Sequence, residues 1–119
     1  MKTDKWGRGI FGIGLGPITD EAIKELEFYF RLNTHDLIRK LSKDLSDKKI
    51  HEEFLEYNKK NKTRKLETIG RIHCFKFKEN EVEEFISLQW GCRIKHLSKF
   101  IKQLIHFNYE KFISPREEG

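Results

Sequence analysis

Cysteine is scarce: Cys74 and Cys92 are the only two in 119 residues, and they do not form a C-x-x-C pair. Neither a disulfide framework nor a thiolate zinc site is indicated, and reduced thiols in a cytosolic setting fit better. The chain also lacks any run near the roughly 20 apolar residues of a membrane span. Its first residues, Met1-Lys2-Thr3-Asp4-Lys5-Trp6, lack the apolar stretch of a signal peptide. A cytoplasmic location with no membrane partner is the expectation. No GKS or GKT is present, so a phosphate-cradling P-loop is excluded. Among His35, His51, His73, His96 and His106 no two stand at i, i+4, the spacing by which a helix face holds a metal. Neither Cys74 nor Cys92 sits in a local nucleophile signature. We therefore expect a non-enzyme without a cofactor or metal, with a small enzyme as the third alternative after two binding roles.

What is present is charge and aromatic mass. Charged residues make up 36% and apolar residues 37% of the chain, with ten Phe, three Tyr and two Trp. That aromatic content supplies enough apolar surface to offset ordering entropy, so a folded domain is expected rather than a disordered chain. The length suits one domain over 1–119. The formal net charge of +5 favours anionic partners but also serves simple solvation.

Residues 1–18 read as a glycine-rich arm. Five glycines from Gly7 to Gly16 interleave with Ile10, Phe11, Ile13 and Leu15, too apolar for a linker and too glycine-rich for a helix. Gly7-x-Gly9-x-x-Gly12 matches a dinucleotide-binding pattern in letters only, because no strand of adequate length precedes it and no helix follows at once.

Three short helices are expected next. The first covers 19–32, with Thr19 as N-cap, Ala22, Ile23, Leu26, Tyr29 and Phe30 at helical spacing, and Asn33 closing it. Thr34 caps a second with Leu37, Ile38, Leu41 and Leu45 on one face, and Asp47 a third with Ile50, Phe54 and Tyr57. A strand near 67–78, with Gly70 as a bulge, needs a partner, and the arm is the available one, giving a small sheet. Asn80 and Glu83 read as a capping box opening one long C-terminal helix over 80–112, kinked only if Gly91 bends it. Its stripe runs through Ile86, Trp90, Ile94, Leu97, Ile101, Leu104, Ile105 and Phe112, and places Trp90 in the core. Ser114-Pro115 ends it, leaving 114–119 as a frayed tail. The expected fold class is thus α+β and predominantly helical.

The basic features carry the functional reading. Lys59, Lys60, Lys62, Arg64 and Lys65 crowd one turn. Lys95, Lys99, Lys102 and His106, at i, i+4, i+7 and i+11, fall in one stripe of the last helix. Mutual repulsion in the 59–65 turn would be relieved by a phosphate backbone, with counterion release driving binding. The order of three helices, basic turn, strand and long helix resembles winged-helix DNA binders that dimerise through a terminal helix. Against that layout, Glu52, Glu53 and Glu56 on the third helix would face phosphates.

Nucleic-acid binding is the first expectation. A protein-binding module, such as an assembly subunit or a small inhibitor of a nucleoprotein complex, is the alternative. Its contacts would come from Trp6, Arg8 and Phe11 in the arm and from any exposed aromatic, Phe28 and Trp90 among them. A homodimer through the long helix is expected because its stripe exceeds what three short helices cover.

Overall fold

The structure, a computed structural model, describes residues 2–3, 8–60, 71–94 and 96–113. It is predominantly helical. The order is β1 (Lys2–Thr3), β2 (Arg8–Leu15), α1 (Pro17–Phe30), α2 (Thr34–Asp44), α3 (Lys48–Lys60), β3 (Arg71–Lys78), α4 (Glu79–Gly91) and α5 (Leu97–Phe112). β2 pairs antiparallel with β3 from Arg8↔Lys78 to Leu15↔Arg71, and β1 pairs with β2 on its other edge. The expected extension of the second strand to residue 67 and the bulge at Gly70 lie outside the described residues.

Helix boundaries follow local chemistry that differs from the expected caps. Pro17 occupies the first turn of α1, where its fixed φ fits and its missing N–H is not needed, and Gly16 stands at the N-cap. Thr19 is not a cap: it is 1% exposed, and its Oγ1 lies 2.8 Å from His106 Nε2 on α5. Arg31 closes α1 in the left-handed region, φ 56°, with the Leu32 N–H donating to the Glu27 carbonyl at 3.1 Å. Asn33 therefore does not close α1. It caps α2 instead, its Oδ1 accepting from the Asp36 N–H at 2.9 Å, while the Thr34 hydroxyl donates back to Glu27. Asp47 Oδ1 accepts from the N–H groups of Lys49 and Ile50 at the head of α3.

The largest departure is at the C-terminal end. The expected single helix over 80–112 is two helices. α4 starts earlier than Asn80, with Lys78 at the N-cap and its N–H donating to Glu81 Oε1 at 3.1 Å. Gly91 stays inside α4, and the break follows it. Arg93 takes φ 59°, its N–H donates to the Trp90 carbonyl, and the Ile94 N–H donates to the Gln89 carbonyl. That bond pair is the standard way a helix end satisfies its orphan carbonyls through one left-handed residue. Buried Gln89 reinforces it by donating its amide to the Ile94 carbonyl at 3.1 Å.

α5 lies at the centre and packs against α1, α2, α3 and α4. Phe100, Ile101, Leu104, Ile105 and Phe107 are buried in one cluster with Ile23, Leu26, Leu37, Leu41 and Phe54. Phe54 meets Phe100 and Phe107 at ring-centroid distances of 6.1 and 5.3 Å. Each such side chain contributes about 1.5–3 kcal/mol on leaving water. The polar interruption at Asn108 is absorbed, its amide donating to the Leu104 carbonyl one turn back at 2.8 Å. The α5 stripe is thus covered within the chain, which removes the ground for expecting a homodimer through this helix. At the other end of the core, Phe77 packs edge-on against Phe85 at 4.7 Å, and Arg39 bridges α2 to Glu81 of α4.

Candidate functional site

Three consecutive aromatics end α1. Successive residues turn by about 100°, so Phe28, Tyr29 and Phe30 cannot all face the core that Ala22, Ile23 and Leu26 occupy. Phe30 turns partly inward, Tyr29 is half out, and Phe28 stands 87% exposed. Tyr29, Phe30 and Phe112 of α5 form a closed aromatic triangle with centroids 4.9, 5.8 and 5.2 Å apart. Lys40 Nζ sits 4.6 Å from the Phe30 ring and Lys111 Nζ 5.5 Å from the Phe112 ring, holding the triangle from two sides.

Beside this triangle opens a groove of about 960 Å³ between the C-terminal end of α1 and Ile113 just past α5. Phe28, Tyr29 and Ile113 give it apolar walls, and Glu21, Glu25 and Glu27 with Lys24 and Arg31 form its rim. Tyr109 reads the electrostatics of this side. Its hydrogen bond to the Glu25 carboxylate, loss of hydration, and the fields of Glu25 and Glu21 raise its phenol above the ordinary value. The groove's lining carries three carboxylates against two cations, although the whole chain carries +5.

The expected basic site is only partly assembled. Lys59 and Lys60 are exposed in the last turn of α3, a position the helix dipole also favours. Lys62, Arg64 and Lys65 lie outside the described residues, as does Lys95. Of the rest of the stripe, His106 is engaged with Thr19. Lys99 is exposed and Lys102 half-buried on α5. Among the described residues no carboxylate lies within ion-pair distance of Lys59, Lys60, Lys99 or Lys102.

Of the expected partner contacts, Trp90 is not a core residue. It is 61% exposed in the last turn of α4, because the buried face of that helix runs through Val82, Phe85 and Gln89. Trp6 lies outside the described residues, and Arg8 and Phe11 are placed by their backbones in β2. The sequence pattern put Tyr29 and Phe112 on core-facing stripes rather than at a binding surface, and gave no role to Arg31 or Ile113. The run of three aromatics in one helix was the available signal, since at least one had to point away from the core.

The remaining reactive groups have structural settings. His35 packs on Phe77 at 5.5 Å, and His51 faces Gly91. Burial pushes the Cys92 thiol up to about 11. Among the described residues no group of three or more His, Cys, Asp or Glu side chains could hold a metal ion, and no helix is long and apolar enough to cross a membrane. No protein-family model, curated protein or solved structure matches the chain, so its site is read from its own chemistry.

Proposed function

We propose that the chain is a protein-binding module that docks a partner in the groove between the C-terminal ends of α1 and α5. The observation that carries this reading is Phe28, 87% exposed on a wall shared with Tyr29 and Ile113. A single exposed apolar side chain needs no explanation, but one that continues into an aromatic cluster and an open groove offers an anchor. Burying it under a partner contributes about 1.5–3 kcal/mol, and aromatic anchors of this kind dominate interface energetics. The experiment is affinity capture from the native extract with wild type and Phe28→Ala, each with and without nuclease. A protein partner held by wild type, lost with the variant and indifferent to nuclease supports the reading. Capture unchanged by Phe28→Ala counts against it.

Nucleic-acid binding is kept as a second reading because Lys59 and Lys60 have no carboxylate partner among the described residues and lead directly into Lys62, Arg64 and Lys65. Five phosphate contacts would give a slope of about −4.5 in log K against log salt. Lys99 and Lys102 would add contacts from α5. Retention of duplex and single-stranded oligonucleotides at low salt, abolished when Lys59, Lys60 and Lys62 are changed to Glu, would favour it. Equal retention by the triple variant would sink it.

A further inference from the structure

We propose that the occupant of the α1–α5 groove is a cationic amphipathic segment of another protein, with an apolar face against Phe28, Tyr29 and Ile113 and lysine or arginine side chains against the α1 carboxylates. This rests on the docking role proposed above and adds the partner's chemistry. The charge distribution selects it. The chain carries +5 overall, yet α1 holds Asp20, Glu21, Glu25 and Glu27 against Lys24 alone, a net −3. Lys24 is drawn to Asp20 at 3.6 Å rather than across the groove. Glu27 accepts from the neutral Thr34 hydroxyl and Glu25 faces the neutral Tyr109 phenol, so these partners bring no positive charge to either carboxylate. Arg31, locked in its left-handed turn, is the groove's remaining cation. An anionic segment would bring like charge against three rim carboxylates, whereas a cationic one gains complementary charge around the apolar anchor.

The test uses labelled synthetic peptides and the full chain, read by fluorescence anisotropy. One peptide carries Leu and Trp at i, i+3, i+4 and i+7 with Lys and Arg elsewhere. A second keeps the apolar positions and replaces the cations with Glu. A third keeps the cations and replaces the apolar positions with Ser. The first is expected to bind about tenfold tighter than the second at low salt, with the gap narrowing as salt is raised. Phe28→Ala should abolish its binding. Glu21→Lys should weaken it several-fold while leaving the circular dichroism spectrum and melting temperature unchanged, since both positions are exposed.

Equal binding of the first two peptides overturns the cationic preference and leaves the docking role standing. Equal binding of the first and third overturns the apolar anchor. No binding of any peptide overturns the proposal, and capture by the method above then decides the docking role separately. Concentration-dependent dimerisation lost in Phe28→Ala would assign the groove to a second copy of this chain and overturn it as well.

Discussion

Replacing Arg93 tests the break between α4 and α5, because the two possible architectures give stability changes of opposite sign. Arg93 holds φ 59° and is exposed, with its N–H on the Trp90 carbonyl at 3.0 Å and the next N–H on the Gln89 carbonyl at 3.2 Å. A residue with a Cβ in this left-handed region carries about 1–2 kcal/mol of steric cost that glycine avoids. Glycine's extra freedom in the unfolded chain returns about 0.5–1 kcal/mol of that. Arg93→Gly is therefore expected to be about 0.5–1 kcal/mol more stable than Arg93→Ala. Were 80–112 a continuous helix, position 93 would be helix interior and glycine would be about 0.8–1 kcal/mol less stable than alanine. Both variants lose the arginine charge near a helix C-terminus, so that contribution cancels in the comparison. For a chain of this length the expected gain corresponds to roughly 2–4 °C in melting temperature, and urea unfolding with a shared m-value gives the same difference independently. A glycine variant less stable than the alanine variant refutes the break. Arg31, at φ 56°, repeats the experiment at the end of α1, where the expected helix over 19–32 again predicts the opposite sign.

Phe54→Ala should destabilise by about 3–5 kcal/mol, since the ring is wholly buried against Phe100 and Phe107; a loss below about 1 kcal/mol by urea unfolding would contradict the α3–α5 packing. At Glu81, burial pushes the carboxyl up, but the Arg39 guanidinium and the Lys78 N–H outweigh it and hold it below its usual value of 4.5. A depressed acid contributes stability above its unfolded pKa and loses it as pH falls through the folded one. Glu81→Gln should then cost about 0.5–1 kcal/mol near neutrality, discounted for the partly exposed Arg39, and the gap should close below about pH 4.5. A gap independent of pH would show the ion pair contributes nothing. With Cys74 changed to serine, native Cys92 should react with iodoacetamide about a hundredfold more slowly than the denatured chain, because its thiol is buried and raised to about 11. Comparable rates by mass spectrometry would contradict its burial.

The spacing of apolar residues along the chain already marks it as predominantly helical. Ala22, Ile23 and Leu26, and Leu37, Ile38, Leu41 and Leu45, bury where their spacing puts them, because a helix periodicity fixes which side chains share a face. Local propensity was weaker at the ends. Thr19, Asn33, Thr34 and Asn80 all have cap chemistry, but which one caps depends on where the chain must turn to pack, and α1 opens at Gly16–Pro17 while α4 opens at Lys78. The continuous stripe from Ile86 to Phe112 could not reveal that it belongs to two helices. Its period survives a break of a few residues, and the break is specified by a backbone conformation at Arg93 that its side chain does not advertise. That break makes α5 a helix of its own in the middle of the core, while the buried face of α4 runs through Val82, Phe85 and Gln89 and leaves Trp90 outside. The groove is tertiary for the same reason. Phe28 to Arg31 and Phe112 to Ile113 are remote in sequence, and only the packing of α1 on α5 brings them to one surface.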